Sequence, residues 1–259
     1  MEQDNYIYGL RAIIEAVEAG KQIDKVLLKK DLQGELAGEL LDVLRQYRIL
    51  TMRVPVERIN RITRKNHQGA LAILSAIEYS RVGIIVPELY ELGRLPLMIA
   101  LDGVTDVRNF GAIARTAECC GVDAIIIPER GSVSVGADAV KTSAGALLRM
   151  PVCRERNMAS AIKFLRDNGY RAVAVSEKVE VNYTEIDYTV PTVFVMGAED
   201  VGISAEVMRE CDTIWPNTIP KCIRSCRHND VRSCASAPQI GYGSAVMVFL
   251  LRLKAKDAD

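Results

Sequence analysis

The sequence has no net charge: 33 Lys and Arg balance 33 Asp and Glu. A whole-molecule field that draws in polyanions is therefore excluded, and any grip on nucleic acid must rest on charge gathered locally. No apolar run approaches the roughly 20 residues of a membrane span. The opening Met-Glu-Gln-Asp-Asn does not have the form of a secretory signal, so a cytoplasmic chain is expected. In that reducing compartment the seven cysteines are expected as thiols rather than as a disulfide framework. There is no Gly-x-Gly-x-x-Gly dinucleotide fingerprint, no Walker phosphate loop, no internal repeat and no low-complexity tract. What remains is a chain of 259 residues, 49% hydrophobic and 25% charged, with the composition of a globular protein and room for two domains.

The first eighty residues alternate helical and strand patterns. Leu10, Ile13, Ile14 and Val17 fall at helical spacing and Gly20 ends the run. Lys25–Lys29 is β-rich, 36–47 is helical again, and 49–54 and 68–77 read as strands. A small α/β module is expected. Its charge is uneven. Arg48, Arg53, Arg58, Arg61, Arg64 and Lys65 are opposed only by Glu57 between Arg48 and His67. Cations gathered in this way suit a phosphate backbone, although charge alone equally describes a solvated helix face. Residues 80–96, with Pro87, Gly93, Pro96 and little periodicity, read as a linker.

The later chain is organised around residues 97–121. An apolar run, Leu97–Leu101, stops at the turn signal Asp102-Gly103. A polar loop leads to Asn109 in the position of a helix N-cap. Ile113, Ala114 and Ala117 then form one helical face, closed by Gly121. Helical side chains lean towards the N-terminus, so Arg115 is expected to reach back to the loop end of this strand-loop-helix unit. Apolar strands follow at 122–127, 150–153, 172–175 and 192–196. Asn157 caps a helix of Met158, Ile162 and Leu165, and Ser204 caps another with Val207, Met208 and Cys211 inward. Strands alternating with helices give a mostly parallel sheet covered on both faces.

Asn-Phe-Gly-Ala-Ile-Ala-Arg-Thr-Ala, beginning at Asn109, resembles the first signature of the SpoU/TrmH family of RNA 2′-O-ribose methyltransferases. Val-Met-Gly-Ala-Glu-Asp-Val-Gly-Ile-Ser, residues 195–204, resembles the second, at the family's spacing. The similarity runs from about Tyr6 to about Asp212 and is nearest to the 23S rRNA guanosine 2′-O-methyltransferase type. Asn66-His67-Gln68-Gly69-Ala70-Leu71-Ala72 resembles the closing strand of that type's ribosomal-protein-like RNA-binding domain. The resemblance implies three parts: an RNA substrate-binding domain over residues 1–79, a linker over 80–96, and a SpoU α/β-knot domain over 97–259. It also implies a trefoil-knotted pocket for S-adenosylmethionine (SAM), pairing as a homodimer through the knot, and ribosomal RNA as the partner, with Arg58, Arg61, Arg64 and Lys65 as RNA contacts. No metal is implied.

The reaction requires a ribose 2′-hydroxyl to attack a sulfonium methyl in line. The hydroxyl is a poor nucleophile, so the site must hold both partners and assist loss of the proton. Arg115 matches the family's essential arginine. A guanidinium ionises above about pH 12, which makes a neutral base form costly. The alternative is a cation that grips an RNA phosphate and lowers the hydroxyl's pKa, and the sequence does not choose between the two. Asn109 orients Arg115 or contacts RNA, and Glu199 pins loops or the arginine. By the same resemblance Gly197, Ala198 and Ile219 border the cofactor. Gly197, having no Cβ, permits close backbone approach.

After Asp212 the pattern breaks. The family's third signature, Ile-Pro followed by a loop with Ser-Leu-Asn-Val-Ser, is reduced to Ile219-Pro220 and an Asn229 without its neighbours. Four of the seven cysteines lie between Cys211 and Cys234. Three readings compete. Cys222, Cys226, His228 and Cys234 offer zinc ligand types at irregular spacing. The loop is otherwise a true variant that still closes the pocket, or the stretch is translated out of frame. The last is favoured: Pro220–Ile223 encoded as CCC AAA TGC ATC and read one base later gives Pro-Asn-Ala-Ser. Residues 244–253 read as a final helix. A tail that spoils the pocket leaves a non-catalytic RNA-binding homologue as the alternative, and a tRNA 2′-O-methyltransferase is a further one.

Overall fold

The computed structural model describes residues 5–93, 95–176 and 190–216. By its internal packing the chain divides into two units. One comprises residues up to Glu78 together with Ser134–Asp138; the other runs from Tyr79 to Val133 and resumes at Ala139.

The first unit contains β1 (Tyr6–Tyr8), α1 (Leu10–Glu18), β2 (Ile23–Lys29), α2 (Glu35–Gln46), β3 (Thr51–Val54), α3 (Val56–Asn60) and β4 (Ala70–Leu74). Its sheet has the order β1-β4-β2-β3, with β4 antiparallel to β1 and β2, and β2 parallel to β3. The apolar stripe of α1 (Leu10, Ile13, Ile14 and Val17) packs on Val26, Leu28, Ala70 and Ala72, joined by Leu40 and Leu44 of α2. The alternate residues, Leu27 and Leu71, meet Val54 and Ile59 on the opposite face. The period of two along each strand thus feeds two cores. The expected α/β module is present. Helix α3 escapes the periodicity argument because it is a single turn carrying one buried residue, Ile59.

The second unit contains β5 (Tyr79–Ser80), α4 (Val82–Glu91), β6 (Leu97–Asp102), α5 (Val107–Cys119), β7 (Ala124–Pro128), all but the first two residues of α6 (Ala137–Thr142), β8 (Val152–Glu155), α7 (Met158–Asp167), β9 (Arg171–Ser176), β10 (Thr192–Gly197), α8 (Ala205–Arg209) and β11 (Thr213–Pro216). All its strand pairs are parallel, in the order β11-β9-β10-β6-β7-β8-β5. Met98–Leu101 and the whole of β10 are buried, as expected of central strands covered on both faces.

Residues 80–96, expected as a linker, hold the whole of α4, whose Val82, Ile85, Val86 and Leu89 belong to the second unit's core. Pro87 inside the helix costs about 3 kcal/mol. Four buried aliphatic side chains return about 1.5–3 kcal/mol each, so burial outweighs the breaker. Asn157 caps α7 as expected, its side chain accepting the Ser160 N–H at 2.7 Å. No helix among the described residues is long and apolar enough to cross a membrane.

Candidate active site

The strand order places the site. From β6 the chain proceeds outward through β7 and β8. It returns through β9 and β10 to the other side of β6. The β6–β10 boundary is therefore a topological switch point, and crevices form beyond the carboxyl ends of such strands. Asp102 and Gly197, paired in register, are those ends.

From β6 the chain turns through Gly103 at φ 82° and enters α5 at Asp106. One carboxylate oxygen of Asp106 accepts the N–H groups of Arg108 and Asn109, both at 2.9 Å. This corrects the expectation that Asn109 is the N-cap. Asp and Asn cap equally well, so composition does not separate them, and the chain uses the one three residues earlier. Asn109 thereby lies in the first turn with its side chain free for another partner. Its Nδ2 donates to Glu199 Oε2 at 3.4 Å, which joins the two sequence signatures across the mouth of the crevice.

From β10 the loop 198–202 folds back on itself. Ala198 and Gly202 exchange backbone hydrogen bonds of 3.2 and 2.8 Å. The Gly202–Ile203 backbone fills the place where a Cβ on Gly197 would stand. Beyond it, Asp102 Oδ2 accepts the Ser204 N–H at 2.7 Å. Ser204 begins α8, but its own side chain makes no cap. Asp102 therefore ties the end of β6 to the start of α8.

Between these loops lies a cleft of about 330 Å³. Val104 and the buried Ile113 form its apolar part, and Asn109, Asp106, Glu199 and Asp200 supply the polar part. Gly197 and Ala198 also line it. Arg115 does not line this cleft. It is exposed and makes no hydrogen bond or ion pair among the described residues. Six residues along an α-helix turn it about 120° from Asn109. Arg58, Arg61, Arg64 and Lys65 are exposed on the first unit. Ile219, Asn229, the zinc reading of Cys222, Cys226, His228 and Cys234, the out-of-frame stretch, the final helix and the chain that would complete a knot all lie outside the described residues.

Two acidic residues that matter here, Asp102 and Asp106, were not singled out from sequence as site residues. The only signal was position, at the strand end and before the helix. Nucleophilic cysteine chemistry finds no support in two of the described thiols. Burial pushes Cys153 up to about 12, aided by Glu155, and Cys211 up to about 11, aided by Asp212, so both stay protonated.

Replacing Asp106 by alanine is expected to cost about 1 kcal/mol, while serine, a competent cap, restores most of it. Thermal unfolding of the two variants checks this. Equal losses for serine and alanine would contradict the capping role.

Residues 96–225 match the model of the SpoU rRNA Methylase family, and residues 6–80 match that of RNA 2′-O ribose methyltransferase substrate binding. A TrmH family tRNA/rRNA methyltransferase of Staphylococcus saprophyticus is 34% identical over 206 residues, 80% of this chain and 83% of the relative. Its counterpart in Staphylococcus aureus strain MSSA476 is 31% identical over 210 residues, 81% of this chain and 85% of the relative. Among solved structures, the AdoMet-bound rRNA methyltransferase of Sinorhizobium meliloti superposes with a TM-score of 0.52 at 25% identity, covering 96% of this chain and 86% of that one. The SpoU methyltransferase AviRb of Streptomyces viridochromogenes, in complex with AdoMet, gives 0.55 at 19% identity, covering 98% and 90%.

Proposed function

The chain belongs to the SpoU rRNA methylase family, and from that premise we propose that it methylates a ribose 2′-hydroxyl of large-subunit ribosomal RNA in the cytoplasm. At the coarser level it is a SAM-dependent RNA methyltransferase. The observation that carries the finer reading is the Asn109–Glu199 contact. It brings the two signatures to one cleft at the switch point of the sheet.

The cleft's donor set fits the cofactor. Its charged lining is carboxylate, from Asp106, Glu199 and Asp200, set beside the apolar Val104 and Ile113. A sulfonium cation beside the apolar faces of an adenine ring suits that combination. SAM supplies an electrophilic methyl carbon, and the remaining requirements fall on the protein. Asn109, held by Glu199, orients the ribose hydroxyl. Arg115 acts as a cation: it grips the adjoining phosphate and lowers the hydroxyl's pKa, and water or phosphate takes the proton. Because its face of α5 turns away from the cleft lined by Asn109, Arg115 serves the cleft of a second copy, in a homodimer.

One observation favours a second reading, a non-catalytic RNA-binding homologue. The family match ends at residue 225, and the third signature is broken after Asp212. Titration calorimetry with SAM separates the two. The enzyme reading expects saturable binding near one SAM per chain. A folded dimer that binds RNA but takes up no SAM would establish the rival. Assays on separated ribosomal and transfer RNA then decide the substrate.

A further inference from the structure

The mechanism leaves one face of the first unit without a role. Strand β1 is an edge strand, paired only with β4 among the described residues. Its alternation sends Ile7 towards the core under α1 and α2, and Tyr6 and Tyr8 to the opposite face. The register sets Tyr6 and Lys25 both opposite Ile73, and Tyr8 and Leu27 both opposite Leu71. The two tyrosine rings are half-buried, with centroids 6.3 Å apart and planes at 47°. Lys65 Nζ rests 5.5 Å from the centroid of Tyr8.

The loop that carries Lys65 is held in place. The Lys65 N–H donates to the hydroxyl of buried Thr63 at 3.3 Å. His67 Nε2 and Asn60 Oδ1 lie 2.8 Å apart and join the loop's far end to α3. Arg61, Arg64 and Lys65 stay exposed along it, and Arg58 on α3. Among the described residues, no acid pairs with Arg58, Arg61 or Arg64. Asp24 is buried beside Lys25 at 3.4 Å, Asp31 pairs with Lys29 at 3.4 Å, and Glu57 is the one carboxylate within the basic stretch.

The geometry points to this face as a stacking platform for unpaired bases in a single-stranded segment of the RNA substrate, with Lys65 moving from the ring to a phosphate when a base arrives. It rests on the reading of the first unit as the part that grips RNA. Basic side chains alone would serve duplex and single strand alike. Two half-buried rings, two residues apart on an edge strand, Tyr6 resting in part on the core of Leu27, Val54, Ile59 and Leu71, add nothing to a duplex, whose base faces are hidden. Against splayed bases they offer π surfaces at strand spacing. Lys65 over Tyr8 is no obstacle. An exposed cation–π contact is worth a few-fold in affinity, a stacked base about tenfold, and the displaced ammonium gains a phosphate.

The test uses the full chain and two labelled RNAs, a twelve-nucleotide oligouridine and a twelve-base-pair duplex, followed by fluorescence anisotropy over a salt series. Tyr8→Leu is expected to weaken oligouridine binding about tenfold, with the salt slope and duplex affinity unchanged. Tyr8→Phe keeps the wild-type affinity, and Tyr6→Leu repeats the loss at a second position should Tyr8→Leu fold poorly. Arg64→Ala instead lowers affinity for both RNAs and reduces the salt slope. Folded Tyr8→Leu and Tyr6→Leu proteins that bind oligouridine as the wild type does would overturn the platform, as would an equal loss on the duplex. In both cases the arginine dependence leaves the RNA reading standing. A wild-type chain that binds neither RNA removes both.

Discussion

Arg115→Ala is expected to lower methyl transfer to the proposed ribosomal RNA substrate about a hundred- to a thousandfold while leaving the fold and SAM affinity unchanged. The magnitude is that of removing one preorganised charge from a developing oxyanion. The side chain is exposed and makes no hydrogen bond or ion pair among the described residues, so the stability change falls within about 0.5 kcal/mol. Arg115→Lys recovers only part of the rate, since an ammonium keeps the charge but loses the planar fork that holds phosphate. The sharper consequence concerns which cleft the guanidinium serves. A Glu199→Ala variant, defective in the cleft itself, is expected to be inactive alone. Mixed with Arg115→Ala in the proposed homodimer, it would form heterodimers in which one site combines an intact cleft with an intact arginine. Random mixing then restores about a quarter of wild-type activity, because half the dimers are mixed and each has one of two sites whole. If Arg115 served its own cleft, every site in the mixture would keep a lesion and nothing would return. Full turnover by Arg115→Ala alone would remove the mechanism altogether.

The sequence made one end of this site legible and obscured the other for reasons that lie in particular residues. The apolar run Leu97–Leu101 and the stripe Ile113, Ala114 and Ala117 are decided by burial, which leaves a periodic trace. Helix α4 left a weaker trace, because Gly83 and Pro87 interrupt a segment whose inward residues still line up. The N-cap was ambiguous because Asp and Asn cap helices equally well, and only the folded chain shows Asp106 taking the cap while Asn109 turns to Glu199. The direction of Arg115 was the least legible. The backward lean of helical side chains says how far the guanidinium reaches along the axis, not that it lies about a third of a turn from Asn109 around it. Asp102 is a further case. Its partner, the Ser204 N–H, is 102 positions away, and no local pattern announces a bond of that span.

Gly197→Ala produces the largest loss of stability expected of any single methyl group in the site. A Cβ there would overlap the carbonyl carbon and oxygen of Gly202 and the nitrogen of Ile203. All three are backbone atoms, so no rotamer change relieves the overlap and the 198–202 loop must move as a body. Its displacement strains the Ala198–Gly202 bridge, the Asp102–Ser204 bond and the Asn109–Glu199 contact together. Overpacking of this kind costs about 3 kcal/mol, which lowers Tm by about 6–12 °C in a domain of this size. SAM affinity falls with it, because the same loop walls the cleft. Gly202→Ala is the informative contrast. Gly202 has nothing within 4 Å of its missing Cβ but sits at φ 77°, so alanine there meets only the left-handed backbone strain of about 1–2 kcal/mol. Calorimetric melting of the two variants tests the difference. A Gly197→Ala protein that melts with the wild type, or no lower than Gly202→Ala, would mean that the loop has room the geometry denies. The close approach of Gly197 to Gly202 would then not be what shapes the cleft.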